Sequence, residues 1–253
     1  FILNIEQDVL NDINYRVKNS RVSNDFENKE WKYGTEETYL KDLINYWSNQ
    51  YDWKKQEKEI NKFSHYKIKI DNIPIHFMYE KGSGENSKPL ILSHGWPWTF
   101  WDYKKVIGPL AHPEQYGGNI EQSFDVIIPS LPGYGFSTPL EETGINFWRT
   151  SDLWVQLMTD FLGYEKFFAH GGDWGAAVTL QLGHKYSEIV PAIHTHMAVP
   201  IDFVTNPHPD ISFYSDSEKK WHEKNMNFVT EGNGYFQIQA SRPQTLSYGL
   251  NDS

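Results

Sequence analysis

The chain contains no cysteine. That excludes disulfides, thiol catalysis and cysteine-built metal sites, and leaves the redox compartment open. Long apolar runs are missing too: no segment approaches the roughly 20 residues that cross a bilayer, and the N-terminus has no signal-peptide apolar region. Positive charge is scarce. Lys and Arg number 23 against 33 Asp and Glu, a net charge of -10, which argues against nucleic acid or an anionic membrane as partner. Internal repeats and low-complexity tracts are absent. A soluble, cytoplasmic chain is the expectation, and because it begins at Phe1 rather than Met, residues upstream are expected as well. Of its 253 residues 39% are hydrophobic and 16% aromatic, enough for a sizeable core built largely from rings. The length suits one large α/β domain with an appendage, or two small domains.

Along the chain, Phe1 to Ile5 alternates like a short strand. Val9, Leu10, Ile13 and Val17 then follow at helical spacing. A second helix is expected after Thr35 as its cap, with Glu36 and Glu37 near its positive end and Tyr39, Leu40, Leu43, Ile44 and Trp47 on its apolar face. A third is expected over Asp52 to Lys62. Residues 1–65 read as a helical wrapper too thin to hold a core alone. Two strands, Tyr66 to Ile70 and Ile73 to Tyr79, flank Asp71-Asn72 as a hairpin. Pro89 to Ser93, Phe124 to Pro129, Lys166 to His170 and Ile189 to Met197 are further strands. Residues 151–162 read as an amphipathic helix ended by Gly163. Strands alternating with helices predict an α/β fold with a mostly parallel sheet over residues 66–205, whose active site lies at the carboxyl ends of strands. Asn206-Pro207-His208-Pro209 breaks the chain. Residues 206–253 then open a third region, with a helix over Ser217 to Thr230 and a turn, Glu231 to Tyr235, that presents a tyrosine.

One stretch carries the chemistry: Phe167-Phe168-Ala169-His170-Gly171-Gly172-Asp173-Trp174-Gly175. It reads as strand, tight turn and helix start, with Asp173 at the tip and glycines two places to either side. Small flanks let strand and helix close on a strained tip residue, the pattern of a nucleophile elbow. A carboxylate suits displacement at saturated carbon and forms an alkyl ester that an activated water can hydrolyse. An Asp tip therefore points to epoxides or alkyl halides. A Gly-rich turn with Asp in its favoured place is the plainer reading of the same residues. His94-Gly95-Trp96-Pro97 follows the third strand, where it could serve the elbow or fill a core corner.

Taken together, His94-Gly95-Trp96-Pro97, Pro129 to Ser137 (Pro-Ser-Leu-Pro-Gly-Tyr-Gly-Phe-Ser) and Gly171 to Gly175 resemble the microsomal-type and juvenile-hormone-type epoxide hydrolases of the α/β-hydrolase superfamily. Trp31 to Thr35, Tyr46-Trp47 and Tyr51-Asp52-Trp53 are similar to that family's N-terminal region. Gly234 to Gln239, Arg242 to Thr245 and Asn251 to Ser253 are similar to the start of its cap. The resemblance implies an α/β-hydrolase fold with a helical N-terminal wrapper and the beginning of a helical cap. It implies Asp173 as nucleophile, Tyr235 as proton donor to the epoxide oxygen, and the backbone N–H groups of Trp96 and Trp174 as oxyanion hole. The family's second cap tyrosine, acid and catalytic histidine would follow Ser253, as would the last part of the fold. Pro97, Trp98 and Phe136 are candidates to line the substrate pocket.

The expected activity is opening of an apolar epoxide to a vicinal diol through an ester on Asp173, with water as co-substrate and no metal or organic cofactor. A haloalkane dehalogenase shares the Asp elbow but would need halide-binding donors and no cap tyrosine. A non-catalytic binding protein that keeps the fold is the other alternative. Of the ten histidines, His94 is expected to order its loop and His170 to be a satisfied core residue. His194 and His196 share a strand face that could hold a metal, but no third ligand stands at a readable spacing.

Overall fold

The structure, a computed structural model, describes residues 1–197 and 209–252. The chain divides into two compact units, residues 1–4 with 54–197, and residues 5–53 with 209–252. The expected break at 206–209 falls almost wholly outside the described residues.

The first unit is built on a six-stranded mixed sheet of order β1-β2-β4-β3-β5-β6. Its strands are β1 (His65–Ile70), β2 (Ile73–Glu80), β3 (Lys88–Ser93), β4 (Phe124–Pro129), β5 (Phe168–Gly171) and β6 (Ile193–Thr195). The β1–β2 and β2–β4 pairings are antiparallel and the other three parallel. Asp71 and Asn72 both take positive φ, 48° and 67°, so the two-residue loop between Ile70 and Ile73 is the tight hairpin turn that Asp and Asn tolerate. Ile91, Ile127 and Ala169 point to one face, where they meet Leu153, Trp154, Leu157, Val178 and Leu182 of the crossover helices. Burial on both faces makes β3 and β4 continuous apolar runs rather than alternating ones.

Three helices complete this unit: α4 (Ile107–Ala111), α5 (Phe147–Gln156) and α6 (Trp174–Lys185), with α3 (Trp53–Ile60) leading into β1. The expected helix over 151–162 starts earlier. The Asn146 side chain caps it by accepting from Arg149 N–H at 3.0 Å, and its last turn, Leu157–Phe161, is wound as a π-turn before Gly163 at φ 76°. The strand expected over Ile189 to Met197 shrinks to three residues, Ile193–Thr195, registered against Ala169–Gly171 of β5.

Phe1 to Ile5 is not a strand. Leu3 N–H donates to Asn61 Oδ1 at 2.9 Å, and Asn61 Nδ2 donates back to Leu3 C=O at 2.7 Å. One amide side chain thus satisfies the backbone that a neighbouring strand would otherwise serve.

The second unit holds α1 (Gln7–Lys18), α2 (Glu37–Asn49), α7 (Lys219–Asn227), α8 (Gly234–Ser241) and α9 (Pro243–Asp252). Thr35 does not cap α2. The helix starts one turn position later, and Asp25 Oδ2 accepts from Glu37 N–H at 3.3 Å while Glu37 Oε2 accepts from Asp25 N–H at 3.1 Å. The proposed apolar face of α2 stays largely open, with Tyr39, Leu43 and Trp47 exposed. The helix expected over Ser217 to Thr230 closes at Asn227 and passes into a wide turn, Phe228–Gly232. Tyr235, expected in a turn, sits in the first turn of α8.

A buried polar line joins β1, β2 and the loop after β4. His65 Nε2 faces Ile60 C=O at 2.9 Å, His65 Nδ1 faces His76 Nε2 at 3.0 Å, and His76 Nδ1 faces Ser130 Oγ at 2.9 Å. A carbonyl only accepts, so His65 carries its proton on Nε2. His76 then donates from Nε2, and Ser130 donates into His76 Nδ1. Each imidazole is neutral with one proton, and both are buried. Burial, reinforced by neighbouring His65, drives His76 down to about 3. Burial likewise takes His94 down to about 4, against the opposing pull of Gly95 C=O and Asp173.

These histidines fix the sign of the acid response. The unfolded chain takes up protons as pH falls through about 6.5, whereas the folded chain holds off until about 4 and 3. Stability is therefore full above about 6.5 and lost below it, at about 1.4 kcal/mol per pH unit for each such histidine. Urea unfolding at pH 7.5, 6 and 5 should show a steep fall toward pH 5, above the carboxylate range. A flat profile across that interval would rule out the neutral line.

Candidate active site

The register of the sheet assembles the site. Ser93, the last residue of β3, lies opposite Gly171, the last of β5. β4, parallel to β3 on its other side, ends at Pro129. Three loops, residues 94–97, 130–137 and 172–174, therefore leave the sheet side by side at its carboxyl end, where open α/β sheets place their sites.

Asp173 occupies the strand-to-helix corner with φ 54° and ψ -128°. A non-glycine residue there stores strain on the order of 1–3 kcal/mol, which the surrounding structure must hold. That structure has no spare room. A Cβ on Gly175 would run into the backbone carbonyl of Ser93, and one on Gly171 into the carbonyl of Gly175. A Cβ on Gly95 would overlap the Asp173 side chain itself. The glycine spacing seen in the sequence is thus a set of backbone contacts.

The carboxylate is held asymmetrically. Asp173 Oδ1 accepts from Trp96 N–H at 2.8 Å and from Trp174 N–H at 2.7 Å. Oδ2 has no hydrogen-bond partner among the described residues. Trp174 opens α6, so the carboxylate also sits at the positive end of that helix. Two supports lie behind Ser93: Tyr103 Oη donates to its carbonyl at 2.8 Å, and Trp154 Nε1 to its hydroxyl at 3.0 Å.

His94 is nearly fully buried. Leu131 N–H donates to its Nε2 at 3.1 Å, which leaves the proton on Nδ1, and Nδ1 donates to Gly95 C=O at 3.0 Å. Both ring nitrogens are therefore engaged. His170 is half-buried rather than in the core. Its Nδ1 lies 2.8 Å from His194 Nδ1, and burial followed by the nearby His194 and His196 lowers it. Among the described residues no group of three or more His, Cys, Asp or Glu side chains is placed to hold a metal.

Of the residues proposed for a pocket, Trp98 is exposed, with 57% of its surface accessible, and Pro97 is exposed beside it. Phe136 turns into a ring cluster, with centroids 5.1 Å from His76 and 5.7 Å from Phe100. Tyr235 is exposed on α8 in the second unit. A groove of about 590 Å³ opens elsewhere in the first unit, lined by Leu90, Leu92, Leu110, Phe168 and Ile193, without Asp173. Nothing in the sequence singled out His76, and Ser130 and Ser137 stood only as members of the 129–137 motif. Their side chains become informative only once β2 and β4 are paired: Ser137 Oγ donates to Ser130 C=O at 2.8 Å and accepts from His76 N–H at 2.9 Å.

The family described as "Epoxide hydrolase N terminus" matches residues 1–103, and the one described as "alpha/beta hydrolase fold" matches residues 88–234. Epoxide hydrolase 1 of Oryctolagus cuniculus is 32% identical over 272 aligned residues, which take in 100% of this chain and 59% of that protein. The solved epoxide hydrolase of Aspergillus niger superposes with a TM-score of 0.86 at 26% identity, covering 100% of this chain and 65% of that one. The juvenile hormone epoxide hydrolase of Bombyx mori superposes with the same TM-score and identity, covering 62% of that chain. The chain spans 56–59% of the length of the first curated relatives it matches.

The contact at Gly95 gives a direct test of the packing. Gly95→Ala must displace Asp173 and should cost about 1–3 kcal/mol, the usual range for overpacking. Gly234→Ala, where an added methyl meets nothing within 4 Å, should cost nothing measurable. Denaturant unfolding of both variants checks the difference, and equal stabilities would contradict the close approach.

Proposed function

Since the chain belongs to the α/β-hydrolase fold family and opens with the epoxide hydrolase N terminus, we propose that it hydrolyses an apolar epoxide to a vicinal diol through an alkyl ester on Asp173. The observation that carries this reading is the asymmetric carboxylate, with Oδ1 gripped by two backbone N–H groups and Oδ2 open.

In this proposal Oδ2 attacks an epoxide carbon, the carbon–oxygen bond of the ring breaks, and the ring oxygen leaves with its electron pair. Tyr235 keeps the role its sequence match implies, donating to that oxygen as charge develops. Oδ1 then becomes the carbonyl oxygen of the ester without moving. Water adds to the acyl carbon, the negative charge collects on Oδ1, and the Trp96 and Trp174 N–H groups already stand where that charge appears. Collapse releases the diol and restores the carboxylate. The water must lose a proton to a base poised near neutral pH. His94 is not that base, because Nε2 is an acceptor for Leu131 N–H and Nδ1 a donor to Gly95 C=O. An apolar epoxide fits the indole surfaces of Trp98 and Trp174, both exposed in the first unit.

A single turnover in oxygen-18 water should leave one heavy oxygen in the Asp173 carboxylate, read by mass spectrometry of the peptide that holds it. Label confined to the diol would mean direct attack of water on the epoxide and would end the covalent reading. Tyr235→Phe should slow ester formation by up to roughly 10²–10³, the loss of one donor to a developing oxyanion where no second tyrosine shares it, and leave ester hydrolysis nearly untouched. Pre-steady-state kinetics separate the two steps, and an unchanged alkylation rate would remove Tyr235 from the site.

A further inference from the structure

We propose that His94 is a positioning residue that aims the Trp96 N–H at Asp173 by gripping the opposite end of the same peptide group. This rests on the proposed function only for its kinetic consequence. The geometry stands without it.

The Gly95–Trp96 peptide is trans, since among the described residues only Trp96–Pro97 and Thr138–Pro139 are cis. In a planar trans peptide the C=O and the following N–H point in opposite directions within one rigid plane. Whatever holds the Gly95 carbonyl therefore sets the direction of the Trp96 N–H. His94 Nδ1 holds that carbonyl at 3.0 Å, and Asp173 Oδ1 receives the N–H at 2.8 Å. Gly95 has no side chain to resist rotation about its own bonds, and no side chain can be added there without striking Asp173. The peptide is thus steered from outside, by the imidazole.

The imidazole is itself anchored. Its Nε2 accepts from Leu131 N–H at 3.1 Å, and Leu131 follows Ser130, the end of the buried His65–His76–Ser130 line. Tyr134 of the same loop packs edge-on against the His94 ring at 5.5 Å. The bonds run outward from the Ser130–Leu131 segment: Ser130 donates to His76 on one side, and on the other Leu131 N–H donates to His94, which donates on to Gly95 C=O. This requires the Nδ1–H tautomer of His94, and burial keeps the ring neutral, near 4. Trp174, the other donor to Oδ1, takes its direction from α6 and shares none of this path.

The two bonds of His94 can be separated by substitution. The Asn side-chain amide reaches the place of Nδ1 and can donate to Gly95 C=O, but it has no group at Nε2. The Gln amide reaches the place of Nε2 and can accept from Leu131 N–H, but it leaves Gly95 C=O unheld. Hydrogen exchange of backbone amides by NMR should show Trp96 N–H exchanging at least tenfold faster in His94→Gln than in wild type, with Trp174 N–H unchanged. In His94→Asn the Trp96 amide should keep most of its protection, although that variant loses a buried bond and melts lower. Single-turnover alkylation of Asp173 by styrene oxide should follow Trp96 protection and not melting temperature: slowed tenfold or more in His94→Gln, largely rescued in His94→Asn. In unsubstituted protein, the nitrogen-15 shifts of the His94 ring should report a proton on Nδ1 and none on Nε2, a reading that depends on no variant's folding. Equal Trp96 protection in His94→Gln and wild type, joint loss at Trp96 and Trp174, or the Nε2–H tautomer would each overturn the assignment. Wild type that protects Trp96 but never forms an adduct would sink the proposed reaction and leave the positioning role standing on the exchange data.

Discussion

One carboxylate oxygen accepting two backbone N–H groups is the constraint around which the first unit is arranged. Oδ1 of Asp173 can meet both donors only if the end of β3 and the corner after β5 lie within backbone contact. That contact demands the absence of side chains at Gly95, Gly171 and Gly175, and it demands that Asp173 sit at φ 54°. The strain is held because β3 and β5 are locked as parallel neighbours, Ser93 opposite Gly171, over a core in which Ile91, Leu153, Trp154 and Leu182 are fully buried. The apolar core supplies the stability that holds the strained corner in place.

Behind the corner many buried polar groups form chains rather than isolated pairs, although Thr179 Oγ1, buried on α6, has no hydrogen-bond partner among the described residues. Ser93 is gripped at its carbonyl by Tyr103 and at its hydroxyl by Trp154. The 130–137 loop is tied through Ser130 and Ser137 to His76, and through Leu131 to His94. Asp125, buried in β4, is met by Lys81, Gly82 N–H and Tyr164 Oη. Hydrogen-bond chains of this kind favour one loop arrangement, because a slip leaves a buried donor or acceptor unpaired. The positioning of the Trp96 N–H at Asp173 is therefore a property of several elements at once.

The parts of this architecture that were legible in the sequence are those set by local pattern. The Asp71-Asn72 hairpin, the apolar runs of β3 and β4, the helix after the elbow and the glycine frame of Asp173 all follow from residue type and spacing over a few positions. The family resemblance extended that reading to Trp96 and Trp174. What was not legible depends on partners far along the chain. Phe1 to Ile5 alternates like a strand, yet Asn61 satisfies Leu3. Thr35 looked like the cap of α2, yet Asp25 meets the helix's first amide from twelve residues away. His76 read as one more strand residue, because nothing local announces that His65, Ser130 and Ser137 converge on it. The π-turn after α5 leaves no trace in a helical repeat until the packing around Leu157 and Met158 is known.

The central claim is that Oδ1 is fixed by Trp96 and Trp174 while Oδ2 does the chemistry. It is tested most directly by a crystal structure of the protein after reaction with a slowly hydrolysed epoxide. The account predicts continuous density from Oδ2 of Asp173 to the substrate carbon, with Oδ1, now the ester carbonyl oxygen, still within hydrogen-bond distance of both N–H groups. An ester formed through Oδ1, a carbonyl swung out of reach of Trp96 and Trp174, or an adduct on another carboxylate would contradict it.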